Sequence, residues 1–69
     1  MEPLGLGDCD PIIATCKRKL GVVPADECVT DVLVQRVRGM QLLNGLEVSG
    51  LIDEDVLSLL GVEFDGEVG

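Results

Sequence analysis

Apolar residues recur along this chain in three blocks, each bracketed by residues that start or stop a helix. Ile12, Ile13, Cys16 and Leu20 return at helical spacing and draw one apolar stripe. Asp10-Pro11 stands before them: an aspartate able to cap free N–H groups, then a proline at the first helical position, where its missing N–H costs nothing. Lys17, Arg18 and Lys19 crowd the last turn, where cations meet the negative end of the helix dipole, and Gly21 ends the helix. The second block opens at Thr30, the expected N-cap, with Asp31 in the first turn. Leu33, Val37, Met40 and Gln41 share one face, which Val34, Leu42 and Leu43 widen; Arg36 and Arg38 lie off it, and Asn44-Gly45 closes the helix. In the third block Asp53 caps, Glu54 and Asp55 fill the first turn, Val56, Leu57, Leu59 and Leu60 supply the apolar face, and Gly61 stops it.

The stretches between blocks read differently. Val22 to Val29 is a loop, with Pro24 and Asp26 as turn residues. Leu46 to Ile52 is a short extended connection containing Gly50, with Leu46, Val48 and Leu51 expected to point inward. Residues 1–9 carry Leu4 and Leu6 between Pro3, Gly5 and Gly7 without any period, and residues 63–69 are acidic around Phe64 and Val68. The pattern predicts an all-α fold: a small three-helix bundle over residues 10–62, an extended N-terminal arm over 1–9 and an acidic C-terminal tail over 63–69. Its expected core is Leu20, Leu33, Val37, Leu46, Val48, Val56 and Leu60, with neither arm sharing in the apolar stripes.

Composition narrows the chemistry. A chain of 69 residues makes one domain, and with Phe64 as its sole aromatic the core must be aliphatic. The net charge of −8 repels a phosphate backbone or an anionic lipid surface, so neither nucleic acid nor membrane is an expected partner. All five cations fall between Lys17 and Arg38, while both ends are acidic, a balance suited to a protein partner. No metal site or cofactor is expected, because there is no His and the spacing of Cys9, Cys16 and Cys28 fits no zinc pattern. Those cysteines read as reduced thiols, Cys16 and Cys28 packing as small hydrophobes; a Cys9–Cys28 or Cys16–Cys28 bridge is the alternative in an oxidising compartment. An enzyme is the weakest reading, since the Ser, Thr and Cys side chains lack a nearby base and the Asp53-Glu54-Asp55 cluster is explained by capping.

Two stretches carry a resemblance. The first runs Leu20-Gly21-Val22-Val23-Pro24-Ala25-Asp26 through Thr30 and on to Val37-Arg38-Gly39-Met40-Gln41. The second runs from Gln41 through Asn44-Gly45-Leu46-Glu47-Val48-Ser49-Gly50-Leu51-Ile52-Asp53 and ends Leu57-Ser58-Leu59-Leu60-Gly61. Together they resemble the peptidoglycan-binding domain family, type one, over residues 12–61. The resemblance implies a compact three-helix domain of the kind attached to wall hydrolases and phage lysins. It also implies a wall-binding groove, for which Gln41, Asn44, Arg38, Asp26 and Thr30 are the candidates. The chain departs from the family at Met40, where an aromatic usually stands, and at Asp26-Glu27-Cys28-Val29, where the family carries Gly-x-Phe/Tyr-Gly.

Those departures decide between two functions. Glycan recognition stacks sugar faces on aromatic rings, and the one ring here lies outside the matched region. The favoured expectation is a non-catalytic docking module, an accessory (minor capsid, decoration or tail-associated) protein of a phage particle that binds other virion proteins. Leu4, Leu6, Phe64, Arg36 and Arg38 are its candidate contacts. The alternative is a free-standing peptidoglycan-binding module. No basic n-region leads an apolar h-region at the N-terminus, so the expected route is synthesis in the host cytoplasm without a signal peptide, followed by association with the virion.

Overall fold

A computed structural model describes residues 2–62. Among them are three helices and no β-strand: α1 (Pro11–Leu20), α2 (Asp31–Leu43) and α3 (Glu54–Leu60). The caps form where short-range chemistry places them. The Asp10 carboxylate accepts from Ile12 N, and the Asp53 carboxylate accepts from Val56 N at 3.0 Å. Gly21 and Gly61 each take the left-handed conformation, with φ of 73° and 71°, and turn their N–H groups back onto the last carbonyls of α1 and α3. Thr30 has the extended backbone of an N-cap, but its hydroxyl makes no capping bond.

The core lies where the three helices meet. Ile13 and Cys16 of α1, Leu33 and Val37 of α2, and Val56 and Leu57 of α3 are fully buried, joined by Val29, Ile52 and Val62 from the connections. Leu33, Val37 and Val56 therefore sit as the periodicity predicts, while Leu20, Leu46 and Leu60 are only half-buried. Other expected positions change sides. Val48 and Leu51 are exposed, and Ile52, between Leu51 and the Asp53 cap, takes the inward place. Gly50, at φ 76°, reverses the chain between them and shifts the in–out register. Leu42 and Leu43 also point out, since five and six residues beyond Val37 is about 120–140° round the helix from it. Leu59 of α3 is likewise exposed, with only Val56 and Leu57 of that helix fully inside.

Residues 2–9, expected as an extended arm, turn at Leu6-Gly7, where Asp8 N donates to Gly5 O at 2.9 Å, and they are stitched to the domain rather than free of it. Leu4 and Ile52 exchange both backbone hydrogen bonds, at 2.9 and 2.8 Å, as an isolated antiparallel bridge. Gly7 N donates to Val29 O, Val29 N to Asp8 O and Asp10 N to Glu27 O. Leu4 consequently packs against the core, contrary to the expectation that this segment shares none of it. The cause is non-local: two stretches far apart in sequence each offer unpaired backbone groups beside an apolar residue. Cys9 and Cys28 face each other in a second isolated bridge, Cα atoms 4.0 Å apart, and are joined by a disulfide. That corrects the reading of three reduced thiols; only Cys16, buried in α1, stays free. The acidic tail over 63–69, with Phe64, lies outside the described residues.

Candidate functional site

The residues singled out for a wall-binding groove lie on α2, at its two caps and in the loop before it. Gln41 is 2% exposed. Its amide is engaged at both ends: Oε1 accepts from Gly50 N at 2.9 Å, and Nε2 lies 3.1 Å from Ser49 Oγ, to which it donates. Its backbone carbonyl accepts from Leu46 N at 2.9 Å. Gln41 thus ties α2 to the connection that follows it. Asn44 turns its Nδ2 back onto Met40 O at 2.8 Å, closing the last turn of α2. Thr30 is exposed at the opposite end of the same helix.

Asp26 is occupied as well. Its carboxylate accepts from the ammonium of Lys17, a side chain only 1% exposed, and from Cys28 N. The Lys17 hydrogen bond, aided by that backbone donor, holds the Asp26 carboxyl below its ordinary range. Lys17, one of the three cations in the last turn of α1, runs inward along the core and anchors the loop between α1 and α2 at Asp26. A sequence signal for this exists in retrospect: Lys17 directly follows the buried Cys16 and sits one turn after Ile13, on the core side of the helix.

The partner-contact candidates divide in two. Leu4 belongs to the core margin, while Leu6 is 63% exposed. Arg36 and Arg38 are both exposed on α2. Arg36 Nη1 donates to Leu20 O at 3.1 Å, satisfying a carbonyl at the end of α1. The Arg38 stem passes close to Gly50, whose missing Cβ would lie 3.3 Å from Arg38 Cγ. Leu42 and Leu43, read from the sequence as widening the apolar face of α2, are instead its most prominent exposed apolar groups, 70% and 87% exposed.

The Cys16 thiol is pushed up by burial, which suppresses the thiolate needed for nucleophilic chemistry. No cluster of three or more His, Cys, Asp or Glu among the described residues could hold a metal ion. Among them, too, no helix is long and apolar enough to cross a membrane. No family model matches the chain, and neither do curated proteins or solved structures.

Proposed function

We propose that this chain is a non-catalytic docking module with a peptidoglycan-binding-domain-like fold, serving as an accessory protein of a phage particle by gripping other virion proteins. The observation that carries the proposal is the placement of Leu6, Leu42 and Leu43 on the surface of a domain whose interior is complete. Every buried side-chain nitrogen and oxygen among the described residues has a hydrogen-bond partner, so the core asks for nothing further. Large leucines left in water on so small a body mark contact surface.

Two further observations support it. The Cys9–Cys28 disulfide persists where conditions are oxidising, as they are for a particle released from its host. The wall-binding alternative draws on Gln41 and Asp26, whose polar groups are already engaged within the domain. Residues 2–62 also lack any aromatic ring on which a sugar could stack.

The test compares incorporation into particles with retention on purified sacculi for the parent protein and for Leu6→Ser and Leu43→Ser. Docking predicts that the parent co-purifies with particles and that at least one variant is depleted from them, with no sacculus retention by any. Retention on sacculi that is insensitive to both changes, without particle incorporation, would transfer the protein to the wall-binding class.

A further inference from the structure

The exposed side of α2 has a feature that the fold itself does not account for. Gly39 lies in the helix interior, where glycine is less favourable than alanine by about 1 kcal/mol. Interior glycines are retained when a Cβ would strike a neighbour, or when φ is positive. Neither holds here: a Cβ built on Gly39 meets nothing within 4 Å, and its φ is not in the left-handed region.

Around Gly39 the helix presents an organised face. At about 100° per residue, Val32, Gln35, Arg36, Gly39, Leu42 and Leu43 fall within an arc of about 120° opposite Leu33 and Val37. Val32, Leu42 and Leu43 are exposed apolar side chains on this arc. Gly39 makes a notch in the middle of it. Arg36 stands on one edge and Arg38 just outside the other, so the apolar stripe has a cation on each flank. Among the described residues neither arginine is in an ion pair with a carboxylate.

From this arrangement we infer that the outer face of α2 docks an amphipathic helix of a protein partner. That helix would lay an apolar ridge across the Gly39 notch and carry acidic residues on both its flanks. Charge chooses this occupant. A second copy of the chain would pair Arg-flanked face with Arg-flanked face, like charge against like across the contact. A 13-residue helix alone also offers less area than a stable homodimer needs. An extended anionic membrane meets the whole chain's net charge of −8, whereas a short helix meets the field of the face it touches, within about a Debye length of Arg36 and Arg38. An acidic helix meets Arg36 and Arg38 favourably while its apolar stripe covers Leu42 and Leu43, the helix-in-groove mode of recognition. This inference rests on the docking reading above and assigns it a surface and a partner chemistry.

The probe is a synthetic amphipathic helical peptide with leucines on one face and glutamates on both flanks, titrated into the full chain and followed by NMR and fluorescence anisotropy. Amide shifts are expected to centre on Gly39, Leu42 and Leu43, with binding weakened by added salt. The same peptide with lysines replacing the glutamates should bind at least about tenfold more weakly. Gly39→Gln gives the most telling pair of readouts. It should raise the melting midpoint by roughly 5 °C, because glutamine is a good helix former with open space to enter. It should also weaken peptide binding by about tenfold or more, because the notch is filled. Leu43→Ser should weaken binding comparably without moving the melting midpoint by more than about 2 °C.

The inference is overturned by no binding of the acidic peptide, by equal binding of the lysine peptide, or by shifts centred elsewhere. Self-association or anionic-vesicle binding that is abolished by Leu43→Ser would overturn it too, by giving the face another occupant. Particle assays on the same variants separate the two readings. Particle incorporation that survives Gly39→Gln removes this face and leaves docking standing, whereas absence of the parent from particles removes the virion reading and leaves peptide binding untouched.

Discussion

Replacing Gln41 with leucine tests the account of how α2 is joined to the chain beyond it. The two side chains are similar in size, so the change removes polar atoms with little change in packing volume. Two hydrogen bonds disappear, and they are unequal. Ser49 is exposed and its hydroxyl also accepts from Leu51 N, so it recovers a partner from water at little cost. Gly50 is buried, and its N donates to Gln41 Oε1 at 2.9 Å, away from water that could replace that acceptor. Leaving that donor unsatisfied costs about 1–3 kcal/mol, against roughly 3–10 kcal/mol for the whole of a domain this size. Gly50 also sits at φ 76°, directly before the chain turns Leu51 outward and Ile52 inward, so the loss falls on the residue that sets the register. Urea unfolding monitored by far-ultraviolet circular dichroism measures the effect, with Ser49→Ala as the companion variant expected to cost less than about 1 kcal/mol. If Gln41→Leu unfolds at the same urea concentration as the parent, or a higher one, Gln41 is not the tie described here. A polar role on the surface would then have to be reconsidered.

Three other outcomes follow from the same geometry. Replacing both Cys9 and Cys28 with serine should destabilise by about 3 kcal/mol, the chain-entropy value for a cross-link spanning a sequence separation of 19, read as a lower midpoint in the same urea titration. Asp53→Ala should cost about 0.5–2 kcal/mol through loss of the Val56 N–H cap, and equal stability of the variant would remove the capping role. For the Lys17–Asp26 pair, the folded-state carboxyl lies below its ordinary value of 3.8, so its contribution is complete above that pH and is lost as pH falls through the lowered folded value. Accordingly, acid unfolding of Asp26→Asn should lose part of the parent's pH dependence below about pH 4, and Lys17→Met should be tolerated better than Asp26→Ala, which strands a buried ammonium.

The parts of the fold legible in the sequence are those written within a few residues. Asp10-Pro11, Gly21, Asp53 and Gly61 mark helix ends because capping is local chemistry, and all four act as expected. The parts that were not legible depend on chain brought from a distance. Leu4 pairs with Ile52 and Cys9 with Cys28, and no local periodicity announces either contact. Leu42 and Leu43 were read as widening the apolar face of α2, although their helical phase points outward. Lys17 was read only as a cation in the last turn of α1, whereas it occupies a core-facing position and finds Asp26 across the loop. Among the candidate site residues, the exposure of Arg36 and Arg38 followed from their helical phase. The burial of Gln41 followed too, as a member of the apolar face, whereas its bond to Gly50 required the turn to be seen.

The route by which the N-terminal segment crosses the domain also determines how the molecule bears mechanical load. Tension applied at the N-terminus reaches the Leu4–Ile52 hydrogen bonds first, and those can be peeled apart. The load then meets the covalent link at Cys9 and passes directly to Cys28, just ahead of α2. Everything between the two cysteines, the whole of α1 included, is left slack and outside the line of force. A protein tethered through this end would therefore yield only over its first few residues before pulling becomes a tug on α2 itself.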